Sequence, residues 1–459
     1  MHYDHGDASL NGVITKMAQV IPGSNNLPLL LPGSEGFGTV TKGRAENSAP
    51  RYIKVKFNHQ LADCLFPRDD EPLLNYLYED GDRCEPEFYI PVLPMAILES
   101  ETTTGTGWKI DVWARDYKPV IKMIRDRINN SKAKQSLKSQ LWSHGTKWKC
   151  WLDNGKEYCA GHYTWNSKTE TITVDQLPIK VWSYPYKCWA LGVDQKNNKR
   201  DYINDKGETV VLKKLPYIKS IQDVSCENDT RLEIKLEPGA YQKIQSEYGQ
   251  PDPIINWLSL QRSLPKNLNM IEEHGYVKEF SEYDQVLDYW FDKRKQLYQA
   301  RIKYKLEYTQ LVLDFYQNKL QFILADSSST KKFNIDKDYS DEQVEKILKS
   351  NGFKKFNDHL LLNPGEVSIN ELKQLVYQEK ETFYGSASFN YIKNIKISEK
   401  SKTGISKLQE KIDSLNAEIE KYKNTTWQVV WLEEIKQAEK IIDQGVKFGW
   451  IKQKPVKFV

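Results

Sequence analysis

The chain has 459 residues, too many for one ordinary domain and enough for about three. A composition of 39% hydrophobic, 28% charged and 12% aromatic residues excludes a disordered chain, because so many aromatics imply packed cores. Lys plus Arg number 66 against 62 Asp plus Glu, a net +4, so a nucleic-acid surface has to come from local clustering of cations.

No run approaches the roughly 18 apolar residues of a membrane span, and Met1-His2-Tyr3-Asp4-His5 lacks the cationic and apolar parts of a signal peptide. A soluble, cytoplasmic chain with no membrane partner is expected. Six cysteines, at 64, 84, 150, 159, 188 and 226, are too dispersed for a disulfide scaffold. Cys150, Cys159 and His162 are the one grouping to weigh as a zinc site. Their spacing fits no standard finger and shows no fourth ligand, so buried thiols and no metal are expected.

In chain order, residues 1–92 begin with helical spacing at Leu10, Val13, Ile14 and Met17 and continue into turns at Pro22-Gly23-Ser24-Asn25-Asn26 and Pro32-Gly33-Ser34-Glu35-Gly36. Residues 93–265 change to short alternating segments, such as Thr169 to Val174 and Arg231 to Leu236, which read as strands of an α+β domain. Within them lies a basic helix from Lys118 to Lys138, whose Lys122 and Arg125 suit either a solvated face or phosphate contacts.

Residues 266–325 hold a linker and a long polar helix from Ser281. Ile405, Leu408, Ile412, Leu415, Ile419 and Tyr422 follow the 3,4 spacing of a coiled-coil seam within 404–445. Segment 326–403 between them reads as a small helical head on an antiparallel stem, with a loop at Ser327-Ser328-Ser329-Thr330, and 446–459 as a tail.

No Gly-rich phosphate loop, HExxH or G-x-S-x-G motif occurs. What stands out is Ala49-Pro50-Arg51-Tyr52. A phenol ionises near pH 10, so a nucleophilic tyrosine needs cations beside it, and Arg51 supplies one. Arg-Tyr pairs are common by chance, and alone this one reads as a packed tyrosine beside an exposed arginine.

The context decides. Gly12-Val13-Ile14-Thr15-Lys16-Met17-Ala18-Gln19, Gly23-Ser24-Asn25-Asn26-Leu27-Pro28, Gly36-Phe37-Gly38-Thr39 and Pro50-Arg51-Tyr52-Ile53 strongly resemble the breakage and reunion region of type IIA DNA topoisomerases. Glu85-Pro86-Glu87-Phe88-Tyr89-Ile90-Pro91, Gly105-Thr106-Gly107-Trp108, Leu177-Pro178 and Asn269-Met270 continue the match in the family's order. Gyrase A, topoisomerase IV A and the medium subunit of tailed-phage topoisomerases are similar to it. The wording around Gly23 to Asn26 favours the eukaryotic and viral branch, and a large virus or phage as source, hence the host cytoplasm.

The resemblance implies a partial winged-helix domain (1–92), a sheet-rich tower (93–265) and a coiled-coil stem ending in an exit gate. Tyr52 would form a transient 5′-phosphotyrosyl link to DNA, with Arg51 and His5 steadying the phosphoryl charge and Asp7 in a structural or DNA-proximal place. Lys42, Arg44, Ser24, Asn25, Thr104, Lys122 and Arg125 would contact double-stranded DNA.

It also implies a homodimer, magnesium held by a toprim partner subunit, and ATP hydrolysed by that partner. Asp336 and Asp338 read as solvated loop charge, not as that metal site. The family's upstream winged-helix helices are expected from another chain. No β-pinwheel repeats are seen, so relaxation and decatenation are expected and DNA wrapping is not. Thr104 stands where the family usually places an isoleucine that wedges between base pairs. The competing expectation is a catalytically silent DNA-binding remnant.

Overall fold

Alternation along the strands and a helical seam far downstream build two separate cores in the computed structural model, which describes residues 6–105, 107–129, 141, 146–196, 198–203, 209–327, 338–365 and 367–448. One compact unit comprises 1–66, 77–291 and 434–459, and the other 67–76 and 292–433. The architecture is mixed α and β. Among the described residues no helix is long and apolar enough to cross a membrane.

In the first unit, the alternating segments form a four-stranded antiparallel sheet in the order His162–Asn166, Thr171–Gln176, Leu232–Leu236, Ile218–Asp223. Ile172, Val174, Leu232, Ile234 and Leu236 point to one buried face, as a period of two requires, and pack against Tyr186, Ile244 and Trp257. A three-stranded sheet, Gln261–Leu264, Lys156–Ala160, Lys149–Asp153, lines a smaller core with Trp113 and Ile179.

The basic helix runs Tyr117–Asn129, and residues 130–140 lie outside the described ones. Its apolar stripe, Val120, Ile121, Ile124 and Ile128, is buried. Its opposite charges meet acids: Arg125 pairs with Glu439 at 2.7 Å and Arg127 with Asp288, while Lys122 is exposed.

In the second unit, the seam residues Leu408, Ile412, Leu415 and Ile419 of helix Lys402–Asn424 are buried with Leu311, Phe315, Phe322 and Ile323 of helix Tyr283–Ser327. Short helices between them, among them Asp341–Ser350 and Asp358–Leu362, add Leu348, Phe356, Leu360 and Leu361 to the same core. Ser340 caps Asp341–Ser350 in a capping box with Gln343. The stretch read as a loop begins later than expected, since Ser327 is still helical; 328–337, Asp336 included, lie outside the described residues, and Asp338 is exposed.

Asp70 joins its short segment to this unit. Its carboxylate, 5% exposed, meets Arg294 at 2.6 Å and Arg301 at 2.5 Å, two guanidiniums one heptad apart on the long helix. Both also lie over the Tyr298 ring, at 4.2 and 4.8 Å.

Candidate active site and nucleic-acid interface

Helix Asp7–Met17 starts the site, and the segment after it folds back on its end. The Asn25 amide donates to the carbonyls of Lys16 (2.7 Å) and Gln19 (3.0 Å), and the Ser24 hydroxyl to those of Ile21 (2.5 Å) and Gln19 (3.1 Å). Carbonyls at a helix end lack intrahelical partners, so these side chains supply them. Ser24 and Asn25 thus have donors engaged within the chain.

Gln19, buried, ties that end to the next hairpin, donating to Phe37 O at 2.8 Å and to Asn47 Oδ1 at 3.2 Å. Strands Phe37–Thr39 and Gly43–Asn47 pair there. Lys42 lies 4.8 Å from the Tyr184 ring centre and 3.9 Å from Glu46, and Arg44 is exposed.

The turn from Gly33 to Gly36 then meets the segment that carries Tyr52. Ser48 N–H donates to Gly36 O at 2.9 Å, and Gly36, at φ +100°, has room for no side chain, because a Cβ there would lie 2.5 Å from Ser48 Oγ. Gly33 N–H donates to Lys54 O at 2.6 Å, and Lys54 N–H to Ser34 Oγ at 3.0 Å. Between these anchors Pro50–Tyr52 forms a single 3₁₀ turn, closed by Tyr52 N–H to Ala49 O at 2.9 Å, with Pro50 at the first position where its missing N–H costs nothing.

The turn holds Tyr52 outward, 69% exposed, with the Arg51 guanidinium 4.8 Å from its ring centre. The phenol is therefore open to a large ligand and has a cation beside it. Strand Val55–Phe57 follows, paired with Leu30–Pro32, and leaves Lys54 and Lys56 exposed. These two lysines escaped the sequence reading; Lys54 precedes the strand and Lys56 lies within it, and both are exposed. His5 lies outside the described residues.

A second hairpin stands near helix Asp7–Met17. Strands Glu101–Gly105 and Trp108–Val112 pair Thr104 with Lys109 just before the tip, and Thr104 and Trp108 are exposed. Lys16 pairs with Glu101, and Lys180 donates to Thr102 Oγ1 at 2.7 Å. Burial pulls the Lys180 ammonium below its ordinary range, and Lys16 and Arg262 nearby add to that against the pull of Glu101.

Glu99 locks the Ser24-Asn25 segment to this hairpin by accepting from the N–H groups of Asn26 (2.8 Å) and Leu27. Burial pushes its carboxyl from 4.5 up to about 7, the two N–H groups oppose that, and Glu101 adds to it. Between those pH values the unfolded chain has released this proton and the folded chain keeps it, so Glu99 makes folding less favourable as pH rises through that window. Glu99→Gln, which does not titrate, is expected to gain stability relative to the parent between about pH 5 and pH 8 in denaturant melts. A difference independent of pH contradicts this assignment.

The zinc grouping does not assemble. His162 Nδ1 sits 2.6 Å from the buried Asp175, which also pairs with Lys147, and Cys150 and Cys159 face each other instead. Among the described residues no group of three or more His, Cys, Asp or Glu side chains is placed to hold a metal ion.

Known proteins resemble this chain in sequence and in fold. The DNA topoisomerase 2 of African swine fever virus (isolate Tick/South Africa/Pretoriuskop Pr4/1996) is 28% identical over 471 aligned residues, covering 98% of the chain and 37% of the viral protein. The DNA topoisomerase-like protein cin-4 of Caenorhabditis elegans is 25% identical over 455 residues, 94% of the chain and 51% of that protein. The chain thus spans little more than a third of the viral relative's length. Among solved structures, the DNA-binding, cleavage and re-ligation domain of Plasmodium falciparum topoisomerase II superposes with a TM-score of 0.74 at 25% identity, over 97% of the chain and 57% of that structure. The DNA gyrase/topoisomerase IV A-subunit family matches residues 1–437, and the chain belongs to that family of type II topoisomerases.

Proposed function

We propose that this chain cleaves and reseals duplex DNA as the breakage-reunion part of a type II topoisomerase, with Tyr52 as nucleophile. The observation that carries this reading is the outward Tyr52 phenol with Arg51 against it, on a turn anchored on both sides by Gly33, Ser34 and Gly36. The Tyr52 oxygen attacks a backbone phosphorus, the 3′-oxygen leaves, and the chain becomes linked to the 5′-phosphate. The freed 3′-hydroxyl reverses the step, so the ester stores the bond energy and resealing needs no ATP. Arg51, with His5 brought to the same phosphate, stabilises charge on the non-bridging oxygens. Lys54 and Lys56 extend the cationic track for the backbone.

The described residues do not fit a metal, so no step here passes through one. Magnesium and ATP belong to a toprim/ATPase partner. Cutting both strands needs two copies of Tyr52, hence a homodimer. The first unit acts as the cleavage and tower region, and the helical unit as a coiled-coil stem and exit gate. Relaxation and decatenation of DNA follow.

The test mixes the full chain with a toprim/ATPase partner, magnesium and supercoiled duplex. Relaxation with protein-linked 5′ ends is expected. Salt-dependent binding without any linked ends, the behaviour of a silent remnant, refutes the reading.

Thr104 tunes DNA bending. A wedging side chain has to offset an unstacking cost of a few kcal/mol per step, and a hydroxyl-bearing Thr does so poorly. Thr104→Ile is expected to increase bending of an end-labelled duplex, seen by energy transfer, and to tighten binding up to about tenfold. Unchanged bending places Thr104 outside the wedge position.

A further inference from the structure

Two cysteines that the proposed chemistry leaves unused stand directly across a hairpin from each other. Strands Lys149–Asp153 and Lys156–Ala160 are joined by Asn154 and Gly155, at φ 47° and 74°, the two positive angles of a type I′ turn. Such a turn is flanked by a hydrogen-bonded pair, here Asp153 and Lys156, and antiparallel pairs alternate from there. Leu152 and Glu157 are then a non-bonded pair, Trp151 and Tyr158 a bonded one, and Cys150 and Cys159 again a non-bonded one. At non-bonded pairs the Cα atoms approach to about 4.5 Å and same-face side chains come closest, inside the roughly 4.4–6.8 Å that a disulfide spans.

The stacked rings of Trp151 and Tyr158, 5.6 Å apart, occupy one face of the hairpin, and the two cysteines the other, against Trp113, Ile179 and Leu264. Interaction with the facing Cys150 thiol, the Ile179 N–H and the Arg262 guanidinium hold Cys159 below the ordinary thiol range against its burial. The facing Cys159 thiol and burial push the ionisation of Cys150 up. Cys159 is buried and Cys150 partly exposed, so a reagent in solution meets Cys150 first.

We propose that Cys150 and Cys159 are a dithiol oxidation site, which closes to a cross-strand disulfide on two-electron oxidation by a peroxide or by a small disulfide. With hydrogen peroxide, the Cys150 sulfur attacks one oxygen as the O–O bond breaks and its thiol proton goes to the departing oxygen, giving a sulfenic acid and water; the Cys159 thiol proton goes to the hydroxyl that leaves in the next step. The Cys159 sulfur then attacks the Cys150 sulfur, forming the S–S bond and releasing the second water; both thiols are oxidised and the peroxide is reduced. With glutathione disulfide, Cys150 forms a mixed disulfide and releases one glutathione, and Cys159 displaces the second.

The test treats the full chain with graded hydrogen peroxide or glutathione disulfide, blocks free thiols with iodoacetamide, and digests with trypsin. Cleavage at Lys149, Lys156 and Lys168 puts the two cysteines on separate peptides. The expected product is one species carrying both peptides, lighter than their sum by two hydrogens, with alkylation of both cysteines lost together and restored by dithiothreitol. Cys150→Ser and Cys159→Ser should each abolish that species while keeping the parent's circular dichroism. The proposal is overturned if both cysteines still alkylate once the exposed Cys226 is fully oxidised, or if Cys150 ends as a sulfinic acid or mixed disulfide not linked to Cys159.

Discussion

Tyr52→Phe is expected to leave no covalent DNA adduct at all, because the ring keeps its place on the 3₁₀ turn and only the attacking oxygen is gone. The side chain is exposed, so the substitution removes no packing that the fold needs, and unchanged melting separates lost chemistry from lost structure. Arg51→Ala removes the cation 4.8 Å from that ring. Deleting one group that stabilises transition-state charge typically costs about 10² to 10³ in rate, so cleavage should slow by that factor while binding changes little. Arg51→Lys should recover only part, because an ammonium keeps the charge and loses the planar fork that grips two phosphate oxygens. Rates are read from single-turnover adduct formation. A loss confined to binding would move Arg51 from the reacting phosphate to the general DNA track.

Asp70→Asn is expected to be the most destabilising single change in the helical unit. Asp70, Arg294 and Arg301 are all buried, and one carboxylate serves two guanidiniums. Removing one partner of a buried ion pair leaves charge in a poor solvent and costs about 3 to 5 kcal/mol. The neighbouring Asp69 and Lys305 form the internal control, since theirs is an open pair and such pairs contribute under about 1 kcal/mol. Thermal melts followed by helical circular dichroism compare Asp70→Asn with Asp69→Asn. Equal shifts would show that the buried cluster contributes no more than a surface contact.

Period made some of the fold legible in the sequence. The 3,4 spacing from Leu408 to Ile419 marks the buried face of its helix, and alternation at Ile172, Val174, Leu232 and Ile234 marks the inner face of the sheet. Both patterns arise because burial repeats with the backbone's own geometry. Contacts between distant residues left no such trace. Nothing local in Asp69-Asp70-Glu71 says that Asp70 belongs with Arg294 and Arg301, and the basic run at Lys122 and Arg125 gives no sign that Glu439 neutralises one of them.

The site divides in the same way. Arg51 and Tyr52 became visible through ordered motifs, whereas the bracing by Gln19, Ser24, Asn25 and Glu99 depends on backbone carbonyls and N–H groups that side-chain patterns do not encode. Lys54 and Lys56 needed the strand's exposure to be recognised. Sequence spacing groups Cys150, Cys159 and His162, but the hairpin pairs the two cysteines and Asp175 takes the histidine.

Strand passage by this chain depends on one phenol, that of Tyr52, becoming esterified to DNA. Adducts trapped by rapid denaturation, digested with nuclease and trypsin, and sequenced by mass spectrometry should carry a nucleotide on Tyr52 through its 5′-phosphate. A nucleotide found on any other residue, or attached through a 3′-phosphate, would contradict the account.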